Sequence, residues 1–279
     1  MRSRPSVPLG LWPDVATLVC FHAHPDDEAI ATGGVMAMAA DAGHRVVLVC
    51  ATDGAVGEVD EGVLDPGETL AARRAVELQA ACDLLGVHRL EFLGYRDSGM
   101  ENTETNQDPD CFWQADLEVA ARQLADLLEA ERADVFTCYD DHGGYGHPDH
   151  IQVHRVGHRA AELARTPRVY EATMNRDHIE GLMEAARAAG EDMPEPPAAA
   201  QEVAFGSPDA IITTGVDVTS VIDRKRAAMA AHKSQIGEES FLLKMPLDAF
   251  SMGFGTEWFI RKDSSPDGRE STLFAGLSL

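Results

Sequence analysis

Two short segments hold most of the residues that could do chemistry. The first is His24-Pro25-Asp26-Asp27-Glu28, a histidine and three acids set between an apolar run and a helical pattern. Acids at a helix start favour the positive end of its dipole, and Pro25 suits the first turn. That account leaves His24 unexplained. An imidazole beside two carboxylates can offer two ligands to a zinc-class ion while the remaining carboxylate takes a proton from water. His22 falls on the same side of an extended strand as His24 and is expected to be a supporting or structural histidine.

The second segment runs from Tyr139 to His158, YDDHGGYGHPDHIQVHRVGH, and contains His142, His147, His150, His154 and His158. Gly143, Gly144 and Gly146 allow a loop to bend close to a ligand. His150, His154 and His158 recur every four residues and share one helical face. The last two read as a partly exposed face, whereas His150, in the first turn, can look toward the end of the preceding strand. A His/Asp/His set drawn from two distant segments leaves a coordination position open, as a catalytic rather than a structural metal site does.

Both segments need elements that bring them together. Val15 to Phe21 is a buried-strand pattern, followed by a helical pattern from Glu28 to Ala42 and a second strand, VVLVCAT. Glu68 to Leu85 is helical, with Leu70, Arg74, Glu77, Leu78, Ala81 and Leu85 at helical spacing and Gly86 as its stop. Leu90 to Gly94 is a third strand, Leu117 to Ala130 a helix, Asp134 to Tyr139 a fourth strand, and Pro148 to Leu163 a helix. This alternation predicts an α/β fold: a Rossmann-like, mainly parallel sheet with helices on both faces. Ligands of such sheets sit at the carboxyl ends of the strands, where both segments fall.

Residues 1–170 are expected to form the catalytic core and 171–210 a lid or insertion. Residues 211–279, a C-terminal extension, complete the same domain with a strand in AIITTGVDVT and a helix from Val221 to His232 that runs on through Lys233-Ser234-Gln235. The stretch from Met174 to Pro208, with EDMPEPPAAAQE, reads as exposed and mobile. The tail after Lys262 reads as polar and frayed.

Composition narrows the function classes. The chain has 279 residues, 44% of them hydrophobic, which fits a globular protein and excludes a mainly disordered or fibrous one. Lys and Arg total 23 against 47 Asp and Glu, a formal net charge of −24. Such a chain is repelled by phosphate backbones and anionic membranes, so neither a nucleic acid nor a membrane is expected as partner. The apolar stretch near the start is broken by Pro5, Pro8, Pro13 and Asp14, and no segment approaches the roughly 18 apolar residues of a membrane span. Cys20, Cys50, Cys82, Cys111 and Cys138 are odd in number and include no C-x-x-C pair, which points to reduced thiols and a cytoplasmic location.

AHPDDE (Ala23 to Glu28) together with GHPDH (Gly146 to His150) resembles the paired signature of the LmbE-like, or PIG-L, zinc-dependent N-deacetylases. That family includes the deacetylase and the conjugate amidase of mycothiol metabolism, the bacillithiol counterpart, and the deacetylase of glycosylphosphatidylinositol synthesis. The resemblance covers roughly residues 15 to 170. It implies that His24, Asp27 and His150 hold the metal, that Asp26 is the general base, and that His147 stabilises the oxyanion or protonates the leaving amine. It further implies that Tyr145 assists the tetrahedral intermediate and that Arg74 and Asp97 hold sugar hydroxyls. Read as residues alone, Arg74 and Glu77 could equally be an i,i+3 ion pair, and Asp97-Ser98-Gly99 a turn. The implied cofactor is Zn2+, with Fe2+, Co2+ or Ni2+ also able to occupy a His2Asp site. The implied partner is a small N-acetylated sugar or sugar conjugate, with a homo-oligomer left open.

The expected activity is hydrolysis of an acetamide on a GlcNAc-like substrate. The readings competing with it are an amidase of mycothiol S-conjugates, a metal-dependent phosphoesterase, and a non-catalytic sugar-binding protein.

Overall fold

The computed structural model describes residues 15–188, 205–262, 264 and 268–277. Its strands are β1 (Thr17–His22), β2 (Arg45–Thr52), β3 (Arg89–Tyr95), β4 (Val135–Tyr139), β5 (Arg168–Thr173), β6 (Thr214–Asp217) and β7 (Thr256–Arg261). They form one sheet in the order β3-β2-β1-β4-β5-β7-β6. The first five pair in parallel, and β7 runs antiparallel to both of its neighbours. Every residue of β1 and β4 is buried. Continuous burial of this kind requires helices on both faces of a sheet.

The helices that matter for the site are α1 (Asp27–Ala31), α2 (Gly33–Asp41), α3 (Leu70–Leu85), α4 (Leu117–Glu131), α5 (Pro148–Ala164), α6 (Arg176–Ala188) and α7 (Ile222–Ala231). Local signals set their ends. The Thr69 hydroxyl accepts from the Ala72 N–H at the start of α3, and Gly86 closes it at φ 77°, a conformation that disfavours side chains with a Cβ. The Asp116 carboxylate caps α4 through the Val119 N–H. Helices α4 and α5 pack on one another, as do α3 and α7. The buried face of α3 contains all six residues whose spacing predicted it.

One expected helix is two. The pattern from Glu28 to Ala42 breaks at Thr32, which sits at φ −137° and ψ 8°. The break frees backbone N–H groups of Gly34 and Val35, and both donate to the Glu257 carboxylate at 2.7 and 2.8 Å. Glu257 also takes the Lys225 ammonium at 2.5 Å. A buried carboxylate that arrives from more than 200 residues away is invisible to local periodicity. The helix expected from Val221 to His232 ends at Ala231, and Lys233-Ser234-Gln235 form a turn instead.

Strands β5 and β7 were not anticipated. Both are short, and β7 alternates buried and half-buried positions rather than forming an apolar run. The expected lid region, 171–210, begins inside β5 and continues into α6, none of whose side chains is buried. Its residues 189–204, the first fourteen residues and residues 263, 265–267 and 278–279 lie outside the described residues. The rest of the tail after Lys262 is not frayed as expected: Glu270 bridges Thr214, Leu273 is buried and Phe274 stacks on His44, contacts no local pattern announces. All five cysteines are free and buried, and burial pushes the Cys20 thiol up to about 12. Among the described residues, no helix is long and apolar enough to cross a membrane.

Candidate active site

Strands β1 and β4 lie side by side, and from them the sheet grows in both directions, so the loops leaving their carboxyl ends open a crevice. The loop after β1 carries His24 and Asp26 and leads into α1, whose first residue is Asp27. The loop after β4 carries Tyr145 and His147 and leads into α5, where His150 occupies the first turn. Gly143 sits at φ 63°, and a Cβ there would lie 2.4 Å from the Cβ of His150, so the loop approaches the helix more closely than another residue allows.

Two imidazoles converge on one carboxylate oxygen. His24 donates Nε2–H to Asp149 Oδ2 at 3.1 Å, and its Nδ1 faces Asp27 Oδ2 at 3.4 Å. His150 has its Nδ1 on the Gly143 carbonyl at 3.2 Å, and its Nε2 faces the same Asp27 Oδ2 at 3.4 Å. Buried His150 Nε2 has no hydrogen-bond partner. Ligands about 2.0–2.1 Å from a shared tetrahedral ion stand about 3.4 Å apart. An imidazole that donates one N–H to a carbonyl or carboxylate and presents its other nitrogen is prepared for metal ligation. These residues therefore fit a metal ion.

Donor atoms of His24, His147 and His150 also lie within 4.8 Å of one another, as do those of His24, Asp97, His147 and Asp149. The carboxylates of the second group are already engaged. Asp149 accepts from the Ser98 N–H at 2.9 Å and from the Ser98 hydroxyl, and Asp97 accepts from the N–H groups of Gly99 and Val56 at 2.9 and 3.1 Å. They brace His24 rather than reach past it: Asp97 Oδ1 is 3.5 Å from His24 Nε2.

Asp26 has a backbone that a non-glycine residue rarely adopts, φ 127° and ψ −31°. Its N–H donates to Glu28 Oε2 at 2.9 Å, and Glu28 Oε1 is held by His232 Nε2 at 2.7 Å. Burial raises the Asp26 carboxyl to about 6, opposed by Arg74 and reinforced by the charge on Asp27. Asp27 is held well below the usual carboxylate range: His150 and His24 outweigh the effect of its burial. Burial also depresses His147, with His24 and His150 adding to it, down to about 2. His147 Nδ1 accepts from the Asp149 N–H at 3.1 Å, so the neutral ring presents Nε2–H. The Tyr145 ring lies 4.9 Å from that of His150, and its hydroxyl has no hydrogen-bond partner among the described residues.

Arg74 and Glu77 do not form the i,i+3 pair. The Arg74 guanidinium donates to the carbonyls of Gly54 and Pro25 at 2.9 and 2.5 Å and stands 3.2 Å from Asp26 Oδ1. Glu77 instead accepts from the N–H and hydroxyl of Ser234 at 3.0 and 2.6 Å, tying α3 to the turn after α7. His22 is buried between the Tyr139 hydroxyl (2.7 Å) and Thr32 Oγ1 (2.8 Å), and burial lowers it to about 4. These two hydrogen bonds make it a support of the β1 end. His142 caps the loop against Asp141 and the Gly206 carbonyl.

Sequence reasoning assigned no role to Asp149 or His232, and read Glu28 only as an acid at a helix start and Ser98 only as part of a turn. Asp149 stood inside the GHPDH motif. His232 gave no signal, because its partner Glu28 is 204 residues away.

A family model described as GlcNAc-PI de-N-acetylase (PIG-L) matches residues 19–161. A 1D-myo-inositol 2-acetamido-2-deoxy-alpha-D-glucopyranoside deacetylase from Acidothermus cellulolyticus is 42% identical, over 95% of this chain and 96% of its own. The protein of the same name from Thermobifida fusca is 38% identical, over 92% of this chain and 98% of its own. Among solved structures, an N,N'-diacetylchitobiose deacetylase from Pyrococcus horikoshii superimposes with a TM-score of 0.58 at 25% identity, over 90% of this chain and 85% of that one.

Proposed function

From the premise that this chain belongs to the PIG-L family of de-N-acetylases, we propose that it removes the acetyl group from 1D-myo-inositol 2-acetamido-2-deoxy-alpha-D-glucopyranoside, the compound in its relatives' names. The chain is an N-deacetylase, an enzyme that hydrolyses a linear amide bond. The observation that carries the mechanism is the buried, unpartnered His150 Nε2, aimed with His24 Nδ1 at one oxygen of Asp27.

His24, Asp27 and His150 hold the metal in this reading, and zinc is the ion we assign; Fe2+, Co2+ and Ni2+ suit the same donors. When bound, the ion supplies Lewis acidity, which polarises the amide carbonyl and acidifies water. Asp26 takes a proton from the attacking water, a task suited to a carboxyl raised toward neutrality. The new C–O bond turns the carbonyl oxygen into an oxyanion. His147 Nε2–H and the Tyr145 hydroxyl are the donors that face it. As the C–N bond breaks, the amine nitrogen must gain a proton. His147, neutral with Nδ1 occupied by the Asp149 N–H, is a hydrogen-bond donor rather than an acid. Asp26 therefore returns the proton it took, and the products are acetate and a free amine. Arg74 orients Asp26, and Asp97 and Asp149 hold His24 in the ring orientation that presents Nδ1.

The test is release of free amine from a panel of N-acetylglucosamine derivatives by the zinc-loaded protein. Release from the glucosaminyl-inositol substrate, abolished in Asp26→Ala, is the expected result. Release only from a mycothiol S-conjugate moves the substrate, and turnover of a phosphate ester with no acetamide overturns the reading.

A further inference from the structure

The helix that presents His150 continues into a second cluster that the proposed chemistry does not use. His154 and His158, one and two turns further along α5, face Glu171 on β5. His158 Nε2 is 2.7 Å and His154 Nδ1 3.6 Å from Glu171 Oε1, and ligand atoms of all three lie within 4.8 Å of one another. The two imidazole rings are 4.5 Å apart, centre to centre.

We propose that His154, His158 and Glu171 form a second, peripheral site for an imidazole-preferring dication such as Zn2+, Co2+ or Ni2+. Three features argue for it. Histidines four residues apart on a helix present their rings to one ion. His154 Nδ1 lies 3.0 Å from the Tyr139 carbonyl, which fixes the ring beside Glu171. Glu171 has no Lys or Arg within ion-pairing distance among the described residues; its only charge partners are these two histidines. The side chains are 18–22% exposed, open enough for an ion to enter. Two nitrogens and one carboxylate are a set that zinc-class ions favour over calcium or magnesium, which prefer oxygen. A bound ion would tie α5 to β5 beside the end of β4.

Equilibrium dialysis against zinc with metal analysis, together with Co2+ absorption spectra, tests this on the full chain. His24→Ala/His150→Ala is expected to keep one equivalent and a Co2+ spectrum of nitrogen–oxygen ligation. His154→Ala/His158→Ala is expected to bind one equivalent fewer than wild type, with deacetylase activity unchanged. Glu171→Gln, which preserves shape if the histidine pair proves needed for folding, is expected to weaken the same equivalent by about tenfold or more. Equal zinc uptake by wild type and both the double variant and Glu171→Gln overturns the proposal.

Discussion

At the scale of single residues, neighbouring carboxylates are driven apart by their surroundings. Asp27 lies between two imidazoles and stays ionised, while burial raises Asp26 to about 6. Two acids adjacent in sequence thus take different roles, ligand and base. General acid–base catalysis contributes about 10²- to 10⁴-fold, so Asp26→Asn should lower kcat by that much while bound zinc, measured by metal analysis, is retained. Asp26 also occupies a backbone conformation that costs about 1–3 kcal/mol and must be enforced from outside. Its N–H is held by Glu28, and Glu28 by His232. Releasing that brace in His232→Gln should reduce kcat about 10- to 100-fold, as small displacements of catalytic groups do, with KM and metal content nearly unchanged. A lower melting temperature with an unaltered kcat would make the pair structural only.

Elements place these residues, and the break between α1 and α2 shows how. Glu257 on β7 accepts from the opened amide groups of Gly34 and Val35 and from Lys225 on α7, with both charged side chains 1–2% exposed. Three distant stretches of chain thus meet behind the loop that bears His24. Removing one partner of a buried ion pair costs about 3–5 kcal/mol. Lys225→Met should therefore shift the urea midpoint by an amount in that range once multiplied by the m-value. A shift within about 0.5 kcal/mol, the size of a surface substitution, would show that Glu257 needs only its two backbone donors.

For the whole molecule, charge sets the response to pH. With a formal charge of −24, much of the surface is carboxylate, and the carboxylates paired with cations resist protonation most. Burial by itself would raise Glu131, but hydrogen bonds from Arg45 and Arg89 outweigh it and lower its folded value. A lowered folded value contributes stability above the unfolded value, near 4.5, and that contribution is lost as pH falls through the folded one. Glu131→Gln should therefore destabilise the protein at pH 7 and converge with wild type in acid, as compared by urea unfolding at several pH values. A constant difference across pH would mean that packing, not charge, sets the role of Glu131.

The amino-acid sequence determined the alternation of strands and helices from Thr17 to Ala164, the helix stop at Gly86, and the two segments that meet at the strand ends. Those features are local: apolar period, cap chemistry and motif spacing are readable within a few residues. Tertiary structure decided what depended on contact between distant residues. It broke the expected helix at Thr32, because the Glu257 carboxylate stabilises the start of α2 through the Gly34 and Val35 N–H groups. It turned Arg74 toward Asp26 rather than Glu77, because Ser234 occupies Glu77. It added β7 between β5 and β6, antiparallel to both, a pairing set by register between strands about 40 and 90 residues apart. It also put His24 Nδ1 and His150 Nε2 on one oxygen of Asp27, since only packing against Asp149 and Gly143 selects which nitrogen each ring presents.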